Sequence, residues 1–521
     1  MLRGKLTMYQ TNRVQVATGG LALFLILAPV AWGERGEGSL ADVEVPLPGE
    51  LDRYVSDRDA ARRLGKALFW DVQVGSDGDV ACATCHNGAG VDHRTRNQIN
   101  PGFDGGFDIA GPGAVLRAGD FPFHPKDDIA GSGGVDKRDF VAIVPGDSVD
   151  IGDEVTDPVF GPERQVTGRA TPSTINAIFN ELNFWDGRAV DVFNGVTVGN
   201  DDSARIYAVR GGEPTPIRIA MQPASAASQA VGPALSDVEM SWAGRPWPEL
   251  GRKMFSLRPL GQQEVARTDS LLGELVRRGE DGLDTSYMQL VRDAFRSEYW
   301  DSAVPVSIDG ENFTLMEANF SFFWGLSILM YESTLVSDET RYDAWASGRG
   351  KLTRKERRGF EVFEGEGRCD QCHGGPLFTG AAIDGGGDAF ANIGVRPTRE
   401  DRGRSDGEFK TPTLRNVELT GPYFHTGGYL TLRQVVDFYD RGGDFDNEEK
   451  DSQIRELELS NREKEELVAF MLTLTDERVR FQQAPFDHPE LPLPDGDTLP
   501  SVGAEGGPEV RPFLGVDPFT R

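Results

Sequence analysis

"CATCH" occupies residues 82–86 and "CDQCH" residues 369–373. Together they use all four cysteines of the chain, Cys82, Cys85, Cys369 and Cys372, and each ends in a histidine, His86 or His373. C-x-x-C-H is the attachment signature of c-type haem. Each thiol adds across a vinyl group, and the adjacent imidazole sits under the iron as proximal ligand. A disulfide pair has no use for a neighbouring histidine twice over, and a zinc site requires other spacing. Two covalently bound c-type haems are therefore expected.

Each signature follows a helical lead-in. "ARRLGKALFW" (61–70) carries Leu64, Leu68 and Phe69 on one face, and "TRKERRGFEVF" (353–363) carries Phe360 and Phe363. Thr353 with Glu356 spells a capping box, as does Ser460 with Glu463 at the head of "SNREKEELVAFMLTLT" (460–475). The pattern predicts a mostly α-helical chain with two cytochrome c-like domains, residues 48–317 with insertions and residues 318–483. Residues 87–134, rich in Gly and Asp, read as long irregular loops. "TPSTINAIFNELNFWDGRA" (171–189) reads as a helix and turn, and "FSFFWGLSILMY" (320–331) as a buried helix too short to span a membrane. The Pro/Gly-rich residues 484–521 are expected to form an extended wrap and then disorder.

Residues 1–33 read as a signal peptide: Arg3, Lys5 and Arg13 precede an apolar run that ends in Ala31 and Gly33. A periplasmic location follows, with no membrane span in the mature chain. The net charge of −29 speaks against nucleic acid and anionic membranes and for a basic or neutral partner. Acidity that serves only solubility is the alternative.

Three further blocks, residues 171–189, "SQAVGPALSDVEM" (228–240) and "KTPTLRNVELTGPYFHTGGYLTLRQVVDFYDRGG" (410–443), come in a recognisable order. With both haem motifs they make the chain similar to the bacterial di-haem cytochrome c peroxidases and the related MauG-type enzymes. The resemblance implies that hydrogen peroxide meets the first haem and that the second exchanges electrons with it. It implies that Trp185 lies between the haems, where the local reading is a core Trp before an Asp-Gly turn. Glu239 matches the distal glutamate and Gln229 a neighbouring glutamine. A carboxylate there moves a proton between the two peroxide oxygens. Ser236 and Glu239 also spell a capping box, the competing reading. The simplest members carry a distal His sixteen residues after the proximal one; here that position is Gly102. Either the first haem keeps an open site, the favoured expectation, or His93 or His124 reaches over it. A calcium ion between the haems would use the carbonyls of Thr420 and Pro422, but the matching asparagine position is Ala170.

Fourteen residues after His425 stands Tyr439, where ordinary members carry a methionine ligand to the second haem. Leu432, Val435, Val436 and Tyr439 share one helical face, so Tyr439 points inward as either a ligand or a core residue. MauG-type enzymes carry Tyr there; a phenolate is a hard anion that favours oxidised iron. His425 is expected to hydrogen-bond near the haem. The resemblance thus implies a periplasmic di-haem peroxidase that oxidises a c-type cytochrome, a cupredoxin or a protein side chain. A di-haem electron carrier without peroxide turnover and a di-haem oxygenase acting on an organic substrate are the alternatives.

Overall fold

The computed structural model describes residues 38–383, 385 and 387–521. The expected signal peptide lies outside the described residues. Helices are the principal regular structure. In chain order they are α1 Arg58–Trp70, α2 Cys82–His86, α3 Ser225–Ala230, α4 Trp247–Ser256, α5 Tyr287–Ala294, α6 Leu315–Ala318, α7 Phe320–Glu332, α8 Arg341–Ala346, α9 Arg354–Glu364, α10 Leu432–Asp440, α11 Asn461–Met471 and α12 Glu477–Arg480. Strands occur as six short antiparallel pairs, such as Arg138–Ala142 with Ile151–Glu154, and form no larger sheet among the described residues.

The same construction appears twice. In the first half, α1 leads to the helical turn α2 of the first haem motif and crosses the wholly buried α7. In the second, α9 leads to a 3₁₀ turn over Cys369–Gln371 and crosses α11. A glycine sits at each crossing. A Cβ on Gly65 would lie 1.9 Å from the Ser327 carbonyl oxygen, and one on Gly359 would lie 1.9 Å from that of Glu466. Only hydrogen fits between backbones this close, so these glycines accept the helix-propensity penalty of about 1 kcal/mol. The predicted capping boxes form: Thr353 Oγ1 accepts from Glu356 N and Ser460 Oγ from Glu463 N. Thr431 and Gln434 build another at the head of α10.

Two expectations need correction. Residues 171–189 contain only one 3₁₀ turn, Ala177–Phe179. Asn176 takes a left-handed φ of 63°, and its side-chain carbonyl accepts from Ser337 N at 2.9 Å, so the chain winds along a cavity wall. The residues after 484 are not disordered. Leu491 enters the first core, Phe513 packs with Phe121, and Gln263 Nε2 donates to the Glu490 carbonyl at 2.6 Å. The loops of 87–134 are irregular as expected, apart from the pair Ile99–Asn100 with Ile129–Ala130 and one 3₁₀ turn.

Candidate haem cavities and the residues between them

The first cavity is a cleft of about 1580 Å³, its solvent-open mouth included. Cys82, Cys85 and His86 enter its wall from α2, and Gln229 from α3. His86 Nδ1 faces the Gly90 carbonyl at 2.8 Å, a contact that requires the proton on Nδ1 and leaves the Nε2 lone pair for a metal. Burial pushes this imidazole toward its neutral form, the form a metal needs. No helix starts after Ser236, which instead follows the 3₁₀ turn Pro233–Leu235. The capping-box reading of Glu239 therefore fails, and its side chain lines the cavity. Burial pushes the Glu239 carboxyl above its ordinary pKa, while the Ser236 hydroxyl and the Arg188 guanidinium pull the other way.

The second cavity, about 1730 Å³ with its mouth, collects Cys369, Cys372, His373, His425 and Tyr439. His373 Nδ1 faces the Phe378 carbonyl at 3.0 Å, repeating the arrangement of the first site. Tyr439, on the inner face of α10, makes no hydrogen bond through its hydroxyl among the described residues, and burial raises its pKa. His425 is buried and stacked on Phe409 with ring centroids 3.5 Å apart. Its Nε2 has no hydrogen-bond partner among the described residues; the Asp401 carboxylate, at 3.8 Å, is out of reach.

Trp185 lines both cavities. Its indole Nε1 donates to the Ala170 carbonyl at 2.7 Å, its own carbonyl accepts from Lys410 N at 2.8 Å, and its ring meets His425 edge-on at 6.2 Å. These bonds fix one aromatic partition between the two sites.

The residues fit two c-type haems. Each cavity pairs two free thiols with an imidazole whose far nitrogen is already committed to a backbone carbonyl. Cations stand ready for propionates. Arg169 and Arg188 line the first cavity, both held on Asp186. Lys410 lines the second; burial lowers its pKa to about 8, and its ammonium makes no hydrogen bond among the described residues. Sequence reasoning missed these three. Arg188 lies inside the "FWDGRA" block already singled out, so its position was a usable signal. It also missed Glu332 at the end of α7, a buried wall residue whose Oε2 has no partner among the described residues and whose pKa burial raises to about 8. An acidic residue closing an apolar run was the signal.

Neither loop histidine lines the first cavity. His93 Nε2 is tied to the Leu419 carbonyl at 2.8 Å, and His124 lies 3.6 Å from Asp444 and packs on Phe445. Calcium fits less well than haem. Thr420 and Pro422 border a small third cavity with Ala170, but Ala170 offers no side-chain oxygen, and its carbonyl is taken by Trp185. The nearby charges are an Asp92–Arg94 ion pair already closed at 2.6 Å. This donor set falls short of the roughly six to eight oxygens calcium takes, and we assign none.

The family model for di-haem cytochrome c peroxidases matches residues 59–118 and 146–351, just over half of the chain. Cytochrome c551 peroxidase of Nitrosomonas europaea is 34% identical over 185 residues, 33% of this chain and 48% of that one. The methylamine utilization protein MauG of Methylorubrum extorquens is 33% identical over 180 residues, 32% and 46% of the two chains. In both, the match spans about half of the relative's length. A longer match, 80% of this chain and 83% of the other at 24% identity, links it to cytochrome c551 peroxidase of Pseudomonas aeruginosa. A solved MauG-like protein associated with microbial copper homeostasis shares the fold, with a TM-score of 0.50 at 19% identity over 85% of this chain and 97% of that one. No helix among the described residues is long and apolar enough to cross a membrane. With both haem cavities built and the family pattern covering the first of them, the chain belongs to the di-haem cytochrome c peroxidase family.

Proposed function

We propose that the protein is a periplasmic, MauG-like di-haem peroxidase. Hydrogen peroxide reacts in the first cavity, and oxidising equivalents pass by Trp185 to the second. The observation that carries this reading is that one cavity gathers His86, Glu239, Gln229 and Trp185, while Trp185 is also a wall of the other. When bound, the haems supply the iron chemistry through which peroxide is reduced. Glu239 takes the proton from one peroxide oxygen and returns it to the oxygen that leaves as water. Its burial favours the neutral acid and so helps the return step. The Gln229 carboxamide orients peroxide beside it.

Tyr439 would hold the second haem's iron through its hydroxyl oxygen. Burial raises its pKa, and a nearby metal cation would favour the phenolate instead. The ultimate donor is a reduced c-type cytochrome, a cupredoxin or a protein side chain; the chain's charge of −29 favours a basic partner. Electron carriage without turnover would need a strong second ligand at the first haem. His93 and His124, engaged elsewhere, do not supply one. The test is Glu239→Gln in the haem-loaded protein, followed by stopped-flow absorbance with stoichiometric peroxide. The rate should fall by about 10²–10⁴-fold, the usual worth of a positioned acid–base group. An unchanged rate would remove Glu239 from the mechanism.

A further inference from the structure

A second aromatic system adjoins the first haem site at His86, around a small cavity that Trp185 does not line. Phe69, at the end of α1, lies 6.2 Å from the His86 ring and meets Tyr331 edge-on at 5.4 Å. Its neighbour Trp70, 5% exposed, donates its indole Nε1–H to the Tyr331 hydroxyl at 3.0 Å. His488, from the C-terminal segment, stacks on Trp70 with centroids 4.6 Å apart and planes 7° from parallel. These five side chains line one small cavity. One helical turn before Trp70, Lys66 is fully buried between two carboxylates, Asp269 at 2.8 Å and Asp487 at 3.3 Å. Two acids share one ammonium, and the rest of their demand is met by dipoles only, Ser270 on Asp487 and the Leu271 and Leu272 amides on Asp269, so carboxylates outnumber ammonium groups in the cluster. Burial chiefly holds the Tyr331 hydroxyl as the neutral phenol, and the charges of Asp487 and Asp269 add to that. In a low-dielectric interior such a charge strongly favours a cation formed nearby.

We propose that Trp70 is an internal one-electron donor to the first haem, a relay separate from Trp185, with the Lys66–Asp269–Asp487 cluster stabilising the oxidised indole. This rests on the peroxide reading above. Reducing one hydrogen peroxide to two waters takes two electrons and two protons. One electron leaves Trp70, which becomes an indole radical cation and keeps its Nε1 proton in the hydrogen bond to Tyr331. The second electron is drawn from the haem pair and is later replaced by the external one-electron donor, and both protons come from solvent. A second donor electron then restores the indole, so two donor electrons are spent per peroxide. Of the two oxidisable groups here, Trp70 is the carrier because it needs to release no proton, whereas the Tyr331 phenol would have to lose one with no acceptor in reach among the described residues.

The experiment mixes the full-length, haem-loaded protein with stoichiometric hydrogen peroxide and no donor. It reads electron paramagnetic resonance after rapid freezing, with natural and ring-deuterated tryptophan. We expect an organic radical signal that narrows with the deuterated label and disappears in Trp70→Phe, while peroxide is still consumed. Asp487→Asn should shorten the life of that radical. Peptide mapping of the wild-type protein after repeated turnover should find oxygen added at Trp70; this arm does not depend on any variant folding. A tryptophan signal that survives in Trp70→Phe, or oxygen added at Trp185 with Trp70 intact, overturns the proposal. Failure to consume peroxide at all overturns the peroxide reading, and this inference with it.

Discussion

Replacing Gly65 with alanine puts a methyl group into the crossing of α1 and α7. Built on the existing backbone, that carbon lies 1.9 Å from the Ser327 oxygen, 2.6 Å from its carbonyl carbon and 2.9 Å from the Tyr331 Cβ. Ordinary contact begins near 3.4 Å, so the two helices must part by about 1.5 Å. Ser327 lies in the middle of α7, where its carbonyl belongs to the helix and cannot swing aside. Overpacking of this kind costs about 1–3 kcal/mol, and alanine returns up to about 1 kcal/mol of helix propensity. The clash is with backbone rather than with the tip of a side chain, so we expect the upper part of the range, a net loss of about 2 kcal/mol. At about 2–4 °C per kcal/mol for a domain of this size, Tm should fall by about 4–8 °C. Differential scanning calorimetry of the haem-loaded protein measures it. Gly359→Ala, which meets the Glu466 oxygen at 1.9 Å, should do the same to the second crossing. Gly49→Ala, with open space around its Cβ, is the control. If Gly65→Ala melts at or above the wild-type temperature while the control is neutral, the close crossing is not what positions the first haem motif.

Arg415→Met should cost about 3–5 kcal/mol in chemical denaturation, because it strips a bidentate partner at 2.8 and 2.9 Å from the buried Asp343 carboxylate. Burial raises that carboxyl, but bonds from Arg415, Thr340 and Leu40 more than offset it, and its folded pKa lies below the ordinary value. The stability it contributes is therefore full above the unfolded pKa and lost as pH falls through the folded one, a loss that should be smaller in Arg415→Met. Glu332 has the opposite sign. Its folded pKa is raised to about 8, so wild-type stability should decline as pH climbs from the unfolded carboxyl value toward 8, and Glu332→Gln should remove the decline in a Tm-against-pH series. Tyr439→Phe should alter the optical and paramagnetic spectrum of the second haem and leave the first unchanged; an identical spectrum would show that the iron there takes no phenolate.

The haem motifs, their lead-in helices and the capping boxes were legible in the sequence because each is local. Two cysteines and a histidine sit within five residues, and a cap spans four. The inward face of Tyr439 was legible for the same reason. Residues 171–189 misled because Ile175, Ile178 and Phe179 have helical spacing, yet Asn176 and Asn183 draw the backbone into side-chain hydrogen bonds with α3 and with residue 337. Arg169, Arg188 and Lys410 were overlooked since a charged residue shows its orientation only once the cavity exists. The C-terminal segment was misread because its composition suggests a solvated tail. Its ordering depends on partners far back in the chain, Lys66, Trp70 and Thr268, which no local pattern announces.

That segment has a bearing on how the molecule is assembled. Asp487 and His488 come some four hundred residues after α1, yet they finish the surroundings of that helix. Without them, Lys66 keeps only Asp269 as partner among the described residues, and the Trp70 face is uncovered. A fragment ending before residue 484 would keep every haem-anchoring residue and still be left with an unfinished site. Dissecting this protein into separate haem domains would therefore have to carry residues 484–504 along with the first one.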